Sequence, residues 1–72
     1  MRDDHLITVD AVQGGWRVAL DDLTPLMFLS GGRAEEQARR LAGALNGIGS
    51  DARVTIRDRA NTLVGSRRYH AE

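Results

Sequence analysis

Nucleophilic catalysis needs a thiol or hydroxyl held beside a base, and this chain offers poor material for it. It has no cysteine, and its two histidines, His5 and His70, stand in the two terminal segments. A Ser-His-Asp site built on Ser30 or Ser66 would need three side chains kept within hydrogen-bond reach on rigid elements, which terminal histidines do not supply. Carboxylates occur as the adjacent pairs Asp3-Asp4 and Asp21-Asp22. Such pairs on exposed turns read as solvation and turn chemistry, not as an acid and base placed across a substrate. Two histidines and scattered aspartates do not reproduce the ligand spacing of a zinc or calcium site either. The expectation is a non-enzymatic chain with no catalytic residues, no metal and no cofactor.

Anion recognition is the chemistry that remains. Ser30-Gly31-Gly32-Arg33 is a glycine-rich turn opening a helix, where free N–H groups can hold an anion. It lacks the Lys-Ser/Thr of a nucleotide phosphate loop, and a strand-to-helix turn capped by serine is the plainer reading. The arginines are the stronger lead. All ten basic residues are arginine, a bias that a GC-rich genome also produces. Net charge is zero but unevenly spread: residues 1–32 carry two arginines against five acids, and residues 33–72 carry eight against five. Arg53, Arg57, Arg59, Arg67 and Arg68, with Arg17 and Tyr69, are candidates for a basic patch that contacts the phosphates of DNA or RNA.

Positioning those residues requires a sheet and something to cover it. The segment from Ser30 to Gly49 is the one stretch with sustained helical periodicity: Ala34, Ala38, Leu41, Leu45 and Ile48 trace one narrow apolar stripe. Arg33, Glu36, Arg39, Arg40, Gly43 and Gly47 fall opposite. Glu35 and Glu36 precede Arg39 and Arg40 by four residues, the better orientation for helix ion pairs. Ser30, Gly31 or Gly32 caps the start, and Gly47 or Gly49 supplies the left-handed residue at the end. The alanines, Ala42 included, predict a close approach to a partner surface, and a stripe this narrow suits the face of a sheet.

Period-2 segments surround the helix. Leu6 to Val12 places Ile7, Val9 and Ala11 on one side, and Trp16 to Leu20 places Trp16, Val18 and Leu20 on one side. Gln13-Gly14-Gly15 turns between them. Asp21 to Pro25 is a loop, because Pro25 lacks the donor a central strand needs. Leu26-Met27-Phe28-Leu29 is a third strand, apolar on both faces. After the helix, Ala52 to Arg57 sends Ala52, Val54 and Ile56 toward it and Arg53, Thr55 and Arg57 away. Asp58 to Asn61 turns into a last strand from Thr62, with Gly65 a bulge or the strand end, and Arg67 to Glu72 an extension or a tail. Trp16 is read as core beneath the helix.

The expected architecture is a single α+β domain over residues 1–72, order β-β-β-α-β-β, with residues 1–5 and 69–72 frayed. One antiparallel or mixed sheet is packed on one face by one helix, and the strand order stays open. Seventy-two residues bury only about 60% of their extended-chain surface, so self-association is a natural stabiliser. No apolar run is long enough to span a membrane, and MRDDH lacks the features of a secretory leader, so cytoplasmic residence is expected. One helix covers one sheet face, so half of the third strand points away. Leu26, Met27, Phe28 and Leu29 are therefore the candidate protein interface, for a homodimer or another protein, and nucleic-acid binding by an arginine-rich outer sheet face is the alternative.

Taken together, Gly14-Gly15-Trp16-Arg17-Val18, the helix AEEQARRLAGAL and the closing ARVTIRDRANTLVGSRRY resemble the DUF2188 family of small bacterial domains of unknown function. The resemblance covers nearly the whole chain and implies the same fold and a prokaryotic or phage origin. The family carries no assigned catalytic residue or cofactor. Ala60-Asn61 stands where that family has an Asp-Gly or Asn-Gly turn, and the loop from Asp21 to Pro25 is differently composed.

Overall fold

A computed structural model describes residues 4–71 of the chain. Its elements run β1 (Asp4–Val12), β2 (Gly15–Leu20), β3 (Leu26–Phe28), α1 (Gly31–Gly47), β4 (Asp51–Arg57) and β5 (Leu63–Tyr69). They form one mixed five-stranded sheet in the order β3-β2-β1-β4-β5, with α1 on one face, so the α+β class and the element order are as read from the sequence. β1 is the central strand. It pairs antiparallel with β2 and parallel with β4, and the parallel pair is possible because the helix supplies the crossover between β3 and β4.

The core lies between α1 and the three middle strands. Ile7 and Val9 of β1, Val18 of β2, and Ala52 and Val54 of β4 are buried there against Ala34, Ala38 and Ala42. These alanines, one per turn, let the helix sit low on the sheet. Leu41 and Leu45 of the sequence stripe pack beside them, but Ile48 does not. Ile48 is instead the residue after the last helical turn and is 78% exposed, because the chain leaves the sheet there. The exit is a left-handed cap: Gly49 has φ +87°, its N–H reaches the carbonyl of Asn46, and the Ser50 N–H reaches that of Leu45. At the entry, Ser30 is the cap, and its hydroxyl accepts the Arg33 N–H at 3.2 Å. The helix ion pair that closes is Glu36 with Arg40, at 2.8 Å.

Two glycines are dictated by close approach. A Cβ on Gly15 would lie 2.4 Å from the Phe28 carbonyl oxygen, so only glycine lets β3 come alongside β2. A Cβ on Gly31 would lie 3.0 Å from the Trp16 ring, which packs on the core beneath the start of the helix. The Gly31-Gly32 pair thus owes its first member to that indole.

Several boundaries differ from the sequence reading. Asp4 and His5, expected to fray, belong to β1, and Tyr69 belongs to β5; Met1 to Asp3 and Glu72 lie outside the described residues. Register explains both ends. His5 donates or accepts at 2.6 Å with Asp21, whose other carboxylate oxygen accepts the Leu6 N–H at 2.9 Å, so the loop after β2 clamps the start of β1. Asp21 does this from a left-handed backbone, φ 49°. At the other end Asn46 of the helix donates to the carbonyls of Ser50 and Tyr69, and buried Asp51 accepts the Ala71 N–H.

Candidate functional site

An α-helix is about 10–12 Å across, whereas five strands at about 4.8 Å spacing span about 19 Å. One helix therefore leaves both lateral strands of the sheet thinly covered and the opposite face bare. Three surfaces follow from that mismatch: the β3 flank, the β5 flank and the outer face.

On the β3 flank, the structure redistributes the four residues expected to form one interface. Leu26 pairs with Val18 and Phe28 with Trp16, so both lie on the helix side, and Phe28 packs against the core. Met27 alone points to the outer face. Leu29 is not in the strand at all; it is 92% exposed at the bend into the Ser30 cap, which needs an irregular residue before it. The expectation of an apolar outer face on β3 is thus corrected to one methionine. What forms instead is a depression of about 200 Å³ between β2, β3 and α1, lined by Val18, Leu20, Leu23, Thr24, Leu26 and Leu41. Leu23 is 64% exposed there and Leu26 51%. By sequence Leu23 is only a loop residue. Nothing in its local pattern marks it, since what makes it part of a surface is the return of α1 past β2. Phe28 continues this flank to a second depression with Arg33, Glu36, Gln37 and Arg40.

The β5 flank holds Arg67 and Tyr69. Their register partners are Val54 and Ala52, both buried under the helix, so Arg67 and Tyr69 lie on the helix side and not on the outer face. The Arg67 guanidinium stands 5.2 Å from the centre of the Tyr69 ring, within cation–π range. β5 runs on through the stretch read as strand or tail, past a bulge opposite Ile56 and Arg57 that admits Val64 as an extra residue. The turn into it is held by Asp58, whose side chain accepts the N–H groups of Ala60 and Thr62, while Asn61 takes the left-handed position at φ 61°. Arg59 is exposed on that turn, at the end of the sheet.

The outer face collects the other arginines in rows across the strands. One row reads Met27, Arg17, Asp10, Arg57, Leu63; the next reads Ala19, Thr8, Thr55, Ser66; the third reads Leu6, Arg53, Arg68. Arg17 reaches Asp10 at 3.4 Å and Arg68 reaches Asp4 at 3.4 Å, both long contacts, the first to a half-buried carboxylate and the second between exposed side chains. Arg57 donates to the Asn61 carbonyl at 3.2 Å. Of the seven residues expected to make a basic patch, the sheet brings together Arg17, Arg53, Arg57 and Arg68. Arg59 is set at the margin, and Arg67 and Tyr69 are on the other side.

Titration is perturbed at the β1 clamp. The His5 ring hydrogen bond, then the Leu6 N–H, hold the Asp21 carboxyl below its ordinary range against a smaller opposing effect of burial. Among the described residues no group of His, Asp and Glu is placed to hold a metal ion, and no helix is long and apolar enough to cross a membrane. Comparison with protein-family models, curated proteins and solved structures found no match for this chain.

Proposed function

We propose that this is a non-enzymatic interaction domain of the cytoplasm, akin to the DUF2188 domains, that associates with a second copy of itself through the β3 flank. The observation that carries the reading is the half-exposed pair Leu23 and Leu26 over the apolar depression they share with Leu20 and Leu41. Exposed apolar residues that are contiguous, unlike scattered ones, favour burial by a partner. Charge argues that the partner is the same chain. Arg33 and Arg40, with one acid between them, flank the Phe28 end, and Asp21 and Asp22 flank the Leu23 end. A twofold axis through the middle of the flank sets the basic end of one copy against the acidic end of the other, as an isologous interface requires. Edge-to-edge pairing is a weaker alternative. β3 has three residues and follows Pro25, and β5 is bulged and carries arginines, which are devices that discourage strand addition.

Light scattering over a wide concentration range tests this. A dimer is expected, and Leu26→Asp should give a folded monomer because Leu26 lies outside the sealed core. Asp22→Arg should weaken the dimer without unfolding the chain. A wild-type protein that is monomeric throughout, or a Leu26→Asp variant that stays dimeric, would overturn the proposal.

A further inference from the structure

The outer face has the reverse of a protein interface. Protein interfaces put apolar and aromatic side chains at the centre and polar ones at the rim. Here the central row is Thr8, Thr55, Ser66 and Ala19, while Met27, Leu6 and Leu63 lie at row ends, with the exposed bulge residue Val64 beside Leu63 at the β5 edge. Arginines stand on both sides of the short central row: Arg17 and Arg57 on one, Arg53 and Arg68 on the other. Trp16, Phe28 and Tyr69 all lie on the helix side, so none of the chain's Trp, Phe or Tyr rings is on this face for a base to stack on. Stacking is what single-strand platforms depend on, about 1–3 kcal/mol per base.

We infer that the outer face is a binding site for double-stranded nucleic acid, in which the two arginine rows contact phosphates on either side of a groove. Arg53 and Arg57 are four residues apart on one strand, hence about 13 Å, and the major groove of a B-form duplex is about 12 Å wide. The central row of small hydroxyl and methyl side chains forms a low floor between the rows, over the groove, and leaves both rows free to approach the duplex. Only one of the two ion pairs already present, Arg17–Asp10 and Arg68–Asp4, opposes this. Both are long at 3.4 Å; Arg68–Asp4 is exposed, a class worth about 0–1 kcal/mol, so phosphate can displace that carboxylate, whereas the Asp10 side chain is only 19% exposed. Asp10 stands between Arg17 and Arg57 in register and works against binding. With no base-reading group on the floor beyond short hydroxyls, recognition follows the backbone, and affinity falls in the non-specific range of about 10⁻⁴–10⁻⁶ M at physiological salt. The site is separate from the β3 flank and does not require the chain to dimerise.

The test is fluorescence anisotropy of the full chain with short mixed-sequence duplexes of DNA and of RNA, one of the constituent single strands, and inorganic polyphosphate. For four phosphate contacts log K should fall with log salt at a slope of about −3 to −4, so affinity drops about 100-fold between about 50 and 200 mM. Arg53→Ala with Arg57→Ala should shrink that slope by about two. Arg39→Ala, which removes the same charge from the helix side, should leave it unchanged, and Asp10→Asn should tighten binding. Tighter binding of either duplex than of the single strand supports the inference and identifies the source of the phosphates. It is overturned by no binding at the lowest salt, by a single strand or polyphosphate binding as tightly as the duplexes, or by Arg39→Ala costing as much as Arg53→Ala.

Discussion

The two faces of this sheet are built from alternate residues of the same strands, yet they obey different rules. On the helix side, Ile7, Val9, Val18 and Ala52 are sealed against three alanines of α1. One residue along each strand, Thr8, Asp10, Ala19 and Arg53 face the other way, opposite α1, where Arg53 is exposed and the other three are half-buried. The inner face decides whether the chain folds. The outer face is free to vary in charge and hydrogen bonding, and so it is where recognition can be placed without cost to the core. The inner face is itself uneven: the alanine seam seals three strands, and the lateral strands β3 and β5 keep half-open flanks.

The sharpest way to break this comparison is to substitute neighbours in the chain. Ile7→Ala should cost about 2–5 kcal/mol, because it removes packed methylenes from a position with no solvent access. Thr8→Ala, one residue on, should cost less than about 1 kcal/mol, the span of strand propensity. Urea midpoints of the two variants measure the difference, and equal losses would mean that the outer face is also buried. A smaller effect is expected at the margin of the inner face. Gly15→Ala places a Cβ against the Phe28 carbonyl and should cost about 1–3 kcal/mol by overpacking. Because the clash is with β3, amide exchange should rise in Leu26 to Phe28 before it rises in β1 and β4.

The smallest effect is at the Asp21 clamp. Its carboxyl is held below its ordinary value of about 3.9, so its contribution is fully present above that pH and is lost as pH falls through the lower folded value. Asp21→Asn keeps a residue that tolerates positive φ and should lose less than about 1 kcal/mol at neutral pH, since the group is two-fifths exposed. The gap in melting temperature between variant and wild type should then narrow from pH 5 downward, to nothing once both carboxyl states are protonated. A gap that stays constant with pH would assign the clamp to backbone geometry alone.

Alternation and periodicity were enough to read most of the fold. Ile7 and Val9, Val18, and Ala52 and Val54 were each on the expected side of their strand, and Ala34, Ala38 and Ala42 were the expected close contact. The errors fall where an element ends. Ile48 and Leu29 both continue an apolar pattern in sequence, but each sits beside a cap, and the cap geometry turns it into solvent. Leu26 and Phe28 could not be oriented from their own segment, since all four residues there are apolar; pairing with Val18 and Trp16 decides it. Arg67 and Arg68 are adjacent and equally charged; strand alternation sends one to each face, and only the register of β5 decides which.

The amino-acid sequence by itself determined one helix with a seam of small residues, three period-2 strands with two further short strands, and an excess of arginine in the second half. Those are local properties, set by side-chain spacing along a single element. The tertiary structure decided that β4 joins β1 in parallel at the centre, that four arginines share one bare face while Arg67 and Tyr69 leave it, and that Leu23 and Leu26 meet Leu41 in an open flank. Each of these depends on which residues of different strands lie side by side, and spacing within a strand carries no information about its neighbour.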